Sequence, residues 1–280
     1  MPAALDTYAP DLFAGTTALV TGGGRGIGRR SALAFARLGA DVAIAGRNEA
    51  NLLRTADEVR ALGRRCVATV TDIRDTVSVE AMVAAAYDGM GRIDHLINNA
   101  GGQFPARPSQ ISDRGFRAVV DLNLHGTWNV CSRVVPRMLA AGAEGSIVNV
   151  VHNQVFGRGA PLFIHSGAAR AGVVNMTHTM ALYLARRGIT VNALAPGSVD
   201  TEGFREEEIA TIAPDDTAAY LEVILRDTPI GRVQHPDEIA SHVVFLCSPA
   251  ARSITGQLLT FDGGHAMGNH NAVYQPDIEW

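Results

Sequence analysis

Short apolar runs alternate with longer amphipathic segments along most of this chain of 280 residues. Most of these runs are continuous and rich in β-branched residues, which is typical of parallel strands covered by helices on both faces. The predicted strands are Thr17–Thr21, Val42–Gly46, Cys66–Val70, Ile93–Asn98, Ser146–Val151, Thr190–Leu194 and Leu258–Phe261. The alternation predicts an α/β fold with a doubly wound parallel sheet of the Rossmann type.

No linker rich in proline, glycine or serine divides the chain, and no repeat or low-complexity segment interrupts it. We therefore predict a single domain over residues 1–280. Within it we expect an N-terminal extension at 1–15, a helical lid at about 196–232 and a C-terminal tail at 265–280. The lid is predicted because scattered prolines and the run Glu206–Glu208 break the alternation there.

Composition and charge narrow the class of protein. Hydrophobic residues make up 47% of the chain and the formal net charge is −4, so nothing favours nucleic acid or an anionic membrane as partner. The three cysteines are far apart and odd in number, which argues against disulfides and structural zinc. No apolar run reaches the roughly 18 residues that span a bilayer. We expect a cytoplasmic protein.

A glycine-rich turn separates the first predicted strand from the first helix. It reads TGGGRGIG, and its candidate cofactor residues are Thr21, Gly22, Gly24, Arg25, Gly26, Ile27 and Gly28. Glycines let the backbone approach a pyrophosphate, and the start of the following helix offers free N–H groups to it. Strand, turn and helix in this order predict a dinucleotide site.

The end of the second strand bears on the choice between the two nicotinamide cofactors. An acidic residue there would bind the ribose 2′-OH, but the chain has Arg47, and Arg25 lies in the turn. Two guanidinium groups favour a 2′-phosphate, so we predict NADP(H). The alternative is that both arginines are ordinary solvated side chains.

Further motifs follow in order along the chain. They are Asp72-Ile73, Asn98-Asn99-Ala100-Gly101, Asn123 within VDLNLHG, the segment Pro196-Gly197-Ser198-Val199-Asp200-Thr201, and Asp262-Gly263-Gly264. With the glycine turn they resemble the short-chain dehydrogenase/reductase family from about Thr16 to Gly264. The resemblance implies cofactor contacts from Asp72, Ile73, Asn99, Ala100, Gly101, Pro196, Gly197, Val199 and Thr201, and an organising role for Asn123 in the active site.

The catalytic segment departs from the usual pattern of that family, which is serine, then tyrosine, then lysine. Alignment on Ala171-Gly172-Val173 places Asn153, Ser166 and Arg170 at these three positions. A shift of one residue would instead give His152 and His165 at the first two. Neither serine nor arginine can replace a tuned phenol in a proton relay, although Arg170 is expected to hold the nicotinamide ribose. His165 is either a general acid or a packed residue that fills the volume of the tyrosine.

Two strings point to one branch of the family. HSGAARAG at 165–172 and GGQF at 101–104 resemble the peroxisomal trans-2-enoyl-CoA reductase and 2,4-dienoyl-CoA reductase branch, where the tyrosine motif is also altered. The matching tyrosine of the trans-2-enoyl-CoA reductases is Val174 here. The resemblance implies NADPH-dependent reduction of the C=C bond of an acyl-CoA thioester, with Ser166 and Asn153 or His152 donating to the thioester oxygen.

Other functions and the assembly stay open at this point. One alternative is a carbonyl or 3-oxoacyl reductase, or an alcohol dehydrogenase, with an atypical proton donor. The others are a non-catalytic NADP(H)-binding protein and a structural role. The resemblance implies a homotetramer, for which we expect small residues at Ala168, Ala169, Gly172 and Val173 to allow close helix packing, unless they are core. We expect His265, His270, Tyr274 and Trp280 to pack between subunits rather than bind metal.

Overall fold

Seven parallel strands form the sheet of the computed structural model, which describes residues 4–142, 144–155, 159 and 161–267. The strands are β1 Thr17–Thr21, β2 Asp41–Gly46, β3 Cys66–Val70, β4 His95–Asn98, β5 Gly145–Val150, β6 Ile189–Pro196 and β7 Leu258–Phe261. Their order in the sheet is β3-β2-β1-β4-β5-β6-β7. The strand order reverses at β1: β2 and β3 are added on one side of it and β4 to β7 on the other, as in a doubly wound fold. The predicted fold class is confirmed, and it is a single domain.

Helices cover both faces of this sheet. They are α1 Gly26–Arg37, α2 Glu49–Ala61, α3 Thr76–Met90, α4 Asp113–Val120, α5 Gly126–Ala140, α6 Ile164–Leu184, α7 Ala210–Ile212, α8 Thr217–Asp227 and α9 Pro236–Cys247. Two wider π-helical turns occur, at Asp121–His125 between α4 and α5 and at Phe204–Ile209 before α7. Side-chain caps begin several helices; the Asn48 side chain, for example, accepts from the Asn51 amide at 2.9 Å.

The core forms two apolar layers, one on each face of the sheet. Successive residues of a strand point to opposite faces, so Leu19 and Val20 of β1 contribute to different layers. Val20 packs with Phe35 of α1 and with α9, whereas Leu19 packs with Val83 of α3 and with α5. Among the described residues no helix is long and apolar enough to cross a membrane.

The bounds of β1, β3 and β7 are as predicted, and those of the other four strands differ by one or two residues. β4 begins at His95 rather than Ile93, because the Asp94 carboxylate turns back to accept from the Thr17 amide at 2.9 Å. β6 continues to Pro196, where Ala195 and Pro196 still lie opposite residues of β7. The ends of these strands depend on tertiary contacts, which the local pattern of apolar residues does not predict.

Candidate active site

A cleft of about 570 Å³ opens at the carboxyl ends of the parallel strands, where doubly wound folds bind their ligands. Most of the predicted cofactor residues line it: Gly22, Gly24, Arg25, Gly26, Ile27, Arg47, Asp72, Ile73, Asn99, Ala100, Gly101, Arg170, Pro196, Gly197, Val199 and Thr201. Thr21 and Gly28 lie beneath the glycine turn and shape it. Of the predicted catalytic residues, His152, Asn153 and Arg170 line the cleft, whereas Asn123, His165 and Ser166 lie behind its wall.

The glycine turn is held in a shape that only glycine permits at two positions. Gly22 has φ +69°, and a Cβ there would lie 2.7 Å from Asn99 Nδ2. A Cβ on Gly28 would lie 2.2 Å from the Gly22 carbonyl oxygen. The Thr21 hydroxyl accepts from the amides of Asn99 and Ala100 at 3.1 and 3.0 Å, which fastens the end of β1 to the end of β4. This close approach of backbone to backbone suits a pyrophosphate cradle.

Two ion pairs involve residues that line the cleft. Arg25 pairs with Glu207 at 2.7 Å, and Asp72 is held by Arg74. The hydrogen bond from Arg74, with smaller electrostatic help from Arg47, lowers the pKa of Asp72. Arg47 itself is exposed at the rim of the cleft. Neither Arg74 nor Glu207 was among the predicted site residues.

Asn123 organises the wall between β4 and α6. Its side-chain amide donates to the carbonyls of Gly102 and Val119, both at 2.8 Å, and its oxygen accepts from the Gly102 amide at 3.2 Å. Asn123 lies in the π-helical turn Asp121–His125, a distortion often found at functional sites. A Cβ on Gly101 would lie 2.7 Å from Asn123 Oδ1 and 2.8 Å from Arg170 Nη2.

Arg170 places a buried cation at the lysine position of the family. Its guanidinium donates to the Val150 carbonyl at 2.8 Å and to the Ser166 hydroxyl at 3.3 Å. Burial lowers the pKa of Arg170 to about 10, so the group is still charged at neutral pH. Arg170 is therefore a fixed positive charge on the cleft wall and cannot act as a proton carrier.

Ser166 and His165 are both fully buried. The Ser166 hydroxyl donates to Gln103 Oε1 at 2.7 Å, so the Gln103 side chain, not the serine, faces the cleft. The His165 ring meets the edge of Phe104 at 4.5 Å between centroids, and burial lowers its pKa. Of the two interpretations of His165, this placement favours the packed residue.

His152 and Asn153 follow β5 and line the cleft. Burial, and then the charge of Arg170, lower the pKa of His152 to about 3, so the imidazole is neutral at working pH. Asn153 Nδ2 donates to Asp262 Oδ2 at 2.9 Å. The same carboxylate accepts from the Gly264 amide at 2.9 Å. Asn153 therefore ties the end of β5 to the end of β7, and His152 contributes a neutral imidazole to the lining of the cleft.

Gln103 and Glu208, which were not predicted as catalytic, also line the cleft. Gln103 Nε2 donates to Glu208 Oε2 at 3.4 Å, which joins the loop after β4 to the π-helical turn Phe204–Ile209. Burial raises the pKa of Glu208. The GGQF string contained the signal for Gln103, but nothing local distinguishes Glu208 from its two acidic neighbours.

The structure describes the whole of the predicted lid and, of the predicted tail, residues 265–267. Residues 198–228 cover one side of the cleft through Thr201, Phe204 and Tyr220, among others. His265 lines the cleft, which places it closer to the site than the predicted subunit contact implied. His270, Tyr274 and Trp280 lie outside the described residues. Within the described residues no cluster of three or more His, Cys, Asp or Glu could hold a metal ion.

Comparison with known proteins agrees with this architecture. A family described as enoyl-(acyl carrier protein) reductase matches residues 22–266. Peroxisomal 2,4-dienoyl-CoA reductase of Pongo abelii is 37% identical over 266 residues, 94% of this chain and 88% of the relative. A probable 2,4-dienoyl-CoA reductase of Bacillus subtilis is 33% identical over 248 residues, 88% of this chain and 94% of the relative.

A solved structure with bound NADPH has the same fold. An actinorhodin polyketide ketoreductase variant with NADPH superposes with a TM-score of 0.83 at 34% identity, covering 90% of this chain and 97% of that one. The fold, the glycine turn and the cleft define a nicotinamide-dependent oxidoreductase. The chain belongs to the short-chain dehydrogenase/reductase family.

Proposed function

We propose that this protein uses NADPH to reduce a C=C bond of an enoyl-CoA or dienoyl-CoA thioester. The observation that carries the proposal is the residue at the tyrosine position: Ser166, a buried hydroxyl that donates to Gln103 and faces no substrate. Carbonyl reduction needs a proton donor on the reacting oxygen, which the usual tyrosine supplies. Reduction of a conjugated C=C bond needs instead a site that stabilises an enolate oxygen and a donor near the α-carbon.

The residues of the cleft suit that chemistry. Bound NADPH supplies a hydride to the substrate carbon, and the electrons of the C=C bond move onto the thioester oxygen. Neutral His152 can donate a hydrogen bond to that oxygen, and the fixed charge of Arg170 stabilises the negative charge that develops there. The glycine turn has the close backbone approach that a pyrophosphate requires. The names of the two dienoyl-CoA reductases among the relatives support the same substrate class.

A panel of substrates tests the proposal. NADPH oxidation is followed with 2-enoyl-CoA, 2,4-dienoyl-CoA and 3-oxoacyl-CoA thioesters of matched chain length, with the purified chain at neutral pH. We expect turnover with an unsaturated thioester at least about 100-fold faster than with the matched ketone, a difference of about 3 kcal/mol in transition-state binding. Activity confined to ketones would overturn the proposal.

A carbonyl reductase is the second candidate function, because the ketoreductase solved with NADPH is 34% identical. It would require an atypical proton donor in place of the phenol. The same panel separates the two functions, and tight NADPH binding without turnover on any of these substrates would favour a non-catalytic cofactor-binding protein.

We also propose a preference for NADPH over NADH, through Arg47 at the rim of the cleft. Arg47→Ala should raise the Kd of NADPH by about tenfold or more and leave the Kd of NADH nearly unchanged, because only NADPH carries the 2′-phosphate. Arg54→Ala, an exposed arginine of α2, is the matched control. Equal losses for both cofactors in Arg47→Ala would contradict the preference. The cytoplasmic location stays a prediction.

A further inference from the structure

The acidic run of residues 206–208 divides into three different environments. Glu206 is exposed, Glu207 pairs with Arg25, and Glu208 is partly buried and lines the cleft. The run lies in the π-helical turn Phe204–Ile209, whose first and last residues are buried at 8% and 3% exposure. Both ends of the turn are anchored in the apolar cluster of the lid, which holds the backbone that carries Glu208.

A chain of hydrogen bonds runs from Glu208 to the wall of the sheet. Gln103 donates to Glu208 at 3.4 Å, Ser166 donates to Gln103 at 2.7 Å, and Arg170 donates to Ser166 at 3.3 Å. Arg170 is fastened in turn to the Val150 carbonyl of β5. The chain therefore connects a lid carboxyl to the residues at the tyrosine and lysine positions, across the space where substrate would enter.

The surroundings of Glu208 favour the protonated carboxyl. Burial raises its pKa, opposed only by the hydrogen bond from the neutral Gln103 amide. The nearby cation Arg25 is engaged by Glu207. Tyr220 of α8 also lines the cleft, and burial together with the charge of Glu208 raises the pKa of its phenol. The raised pKa of the Glu208 carboxyl lies nearer to neutral pH than that of a free carboxyl, whereas the raised pKa of the Tyr220 phenol lies further from it. Glu208 is therefore the better proton donor at neutral pH.

We propose that Glu208 is the proton donor of this enzyme, taking the part that the missing phenol has in other members of the family. The inference rests on the proposed function. Hydride adds to the unsaturated carbon chain and forms a C–H bond, and the electrons of the C=C bond pass to the thioester oxygen. The enolate then collapses, its α-carbon takes the proton of the Glu208 carboxyl, and the carboxylate left behind regains a proton from water. Gln103 holds the Oε2 atom and so sets the direction in which the acid points.

Glu208→Gln tests the proposal, with Glu206→Gln of the same turn as the control. The amide keeps the shape and the contact with Gln103 but has no acidic proton. We expect kcat for the unsaturated thioester to fall by about 100-fold or more in Glu208→Gln, the usual contribution of a general acid, with little change in KM or in NADPH affinity. Glu206→Gln should retain the wild-type kcat. NADPH binding by fluorescence verifies that each variant is folded.

The pH dependence of kcat gives a second measurement, which begins with the wild type. An acid must carry its proton to react, so wild-type kcat should be highest at low pH and fall as pH rises through the pKa of Glu208. That fall should vanish in Glu208→Gln and persist in Tyr220→Phe. A wild-type kcat without an alkaline fall, a Glu208→Gln variant with full kcat, or a fall that vanishes in Tyr220→Phe instead would each overturn the assignment of Glu208. Failure of the wild type to reduce any unsaturated thioester would instead overturn the proposed function, and the role of Glu208 with it.

Discussion

His95, the first residue of β4, packs against two phenylalanine rings that also contact each other. Its ring centroid is 5.0 Å from that of Phe13 and 5.5 Å from that of Phe35, and its Nδ1 lies 2.8 Å from the Ser146 hydroxyl. The side chain is 7% exposed, and this burial lowers the pKa of His95 to about 4. The folded protein therefore holds a neutral imidazole in conditions where the unfolded chain would already be protonated.

This histidine should make stability depend on pH. Its pKa is about 4 in the folded protein against the ordinary value of 6.5, so the unfolded chain binds the additional proton between these values. The free energy of unfolding should therefore fall as pH drops from about 6.5 to about 4, by about 3 kcal/mol from this residue. Above pH 7 the residue contributes no pH dependence.

Denaturant unfolding of the wild type and of His95→Gln, measured at pH 7 and pH 5, checks this prediction. The variant should lose less stability on acidification, and His178→Gln, an exposed histidine of α6, should behave like the wild type. Identical pH dependence in the wild type and His95→Gln would refute it.

At the same scale, sequence reasoning identified most residues of the cofactor cleft but not Glu208. The glycines and Asn99 belong to contiguous motifs, and the turn chemistry they require is local. The contact of Gln103 with Glu208 joins residues 105 positions apart in the chain. It depends on how the π-helical turn packs over the cleft, which no spacing in the sequence contains.

Among the elements, the glycine turn and the first residues of α1 leave no room for an added side chain at position 28. A Cβ at position 28 would lie 2.2 Å from the Gly22 carbonyl oxygen, an overlap with rigid backbone. Gly28→Ala should therefore lower the free energy of unfolding by about 1–3 kcal/mol and weaken NADPH binding by about tenfold or more, because the turn must open. Gly63→Ala provides the comparison, since no atom lies near its added Cβ and only the strain of its φ of +77° remains. Calorimetric titration of both variants measures the difference; unchanged affinity in Gly28→Ala would argue against the cradle.

The pair of Arg25 and Glu207 joins the glycine turn to the lid. The Glu207 carboxylate competes with a 2′-phosphate for the Arg25 guanidinium. Glu207→Gln should therefore tighten NADPH binding by about threefold to tenfold. NADH affinity should not move, and the gain should shrink as salt is raised, since both groups are exposed. Fluorescence titrations of both cofactors at two salt concentrations measure the change in affinity. Weaker NADPH binding by this variant would instead show that the ion pair is needed to hold the lid over the cleft.

Elements with strong periodicity were predictable, whereas their distortions were not. The seven strands were predicted to within two residues of their ends, and the bounds of three of them were correct. The π-helical turns at Asp121–His125 and Phe204–Ile209 were not, because one additional residue in a helical turn leaves no signal in the pattern of apolar positions. Both turns bring side chains to the cleft or its wall, namely Asn123 and Glu208.

For the whole molecule, α6 exposes two large apolar side chains at its end. Leu182 is 83% exposed and Tyr183 is 79% exposed. The small residues that we expected to mediate packing between subunits lie nearer the start of α6. Ala169 and Val173 are buried in the core of the same subunit, and Gly172 faces Leu124. Ala168, the fourth of these residues, is exposed, so the predicted surface offers little more than this side chain. The homotetramer stays a prediction, and the end of α6 offers further exposed apolar side chains for its contacts.

Leu182→Glu examines that surface. If this residue is buried between subunits, the unpaired carboxylate should raise the dissociation constant of the assembly by about tenfold or more. Val77→Glu replaces another exposed apolar side chain, on α3, and should not change the assembly. Sedimentation velocity over a range of protein concentrations gives the answer. An unchanged assembly in Leu182→Glu would place the interface elsewhere.

The fastening of β1 to β4 through Thr21 and Asn99 has a kinetic consequence. Four hydrogen bonds hold the cradle in shape from its own side chains and backbone: Thr21 Oγ1 accepts from two amides, and Asn99 Nδ2 donates to two carbonyls. A dinucleotide arriving at this end of the molecule meets a rigid receptor and loses little free energy to ordering it. The association rate of the cofactor should then be limited by diffusion and by opening of the lid. This rate should decrease as solvent viscosity rises, and no slow rearrangement of the sheet should limit it.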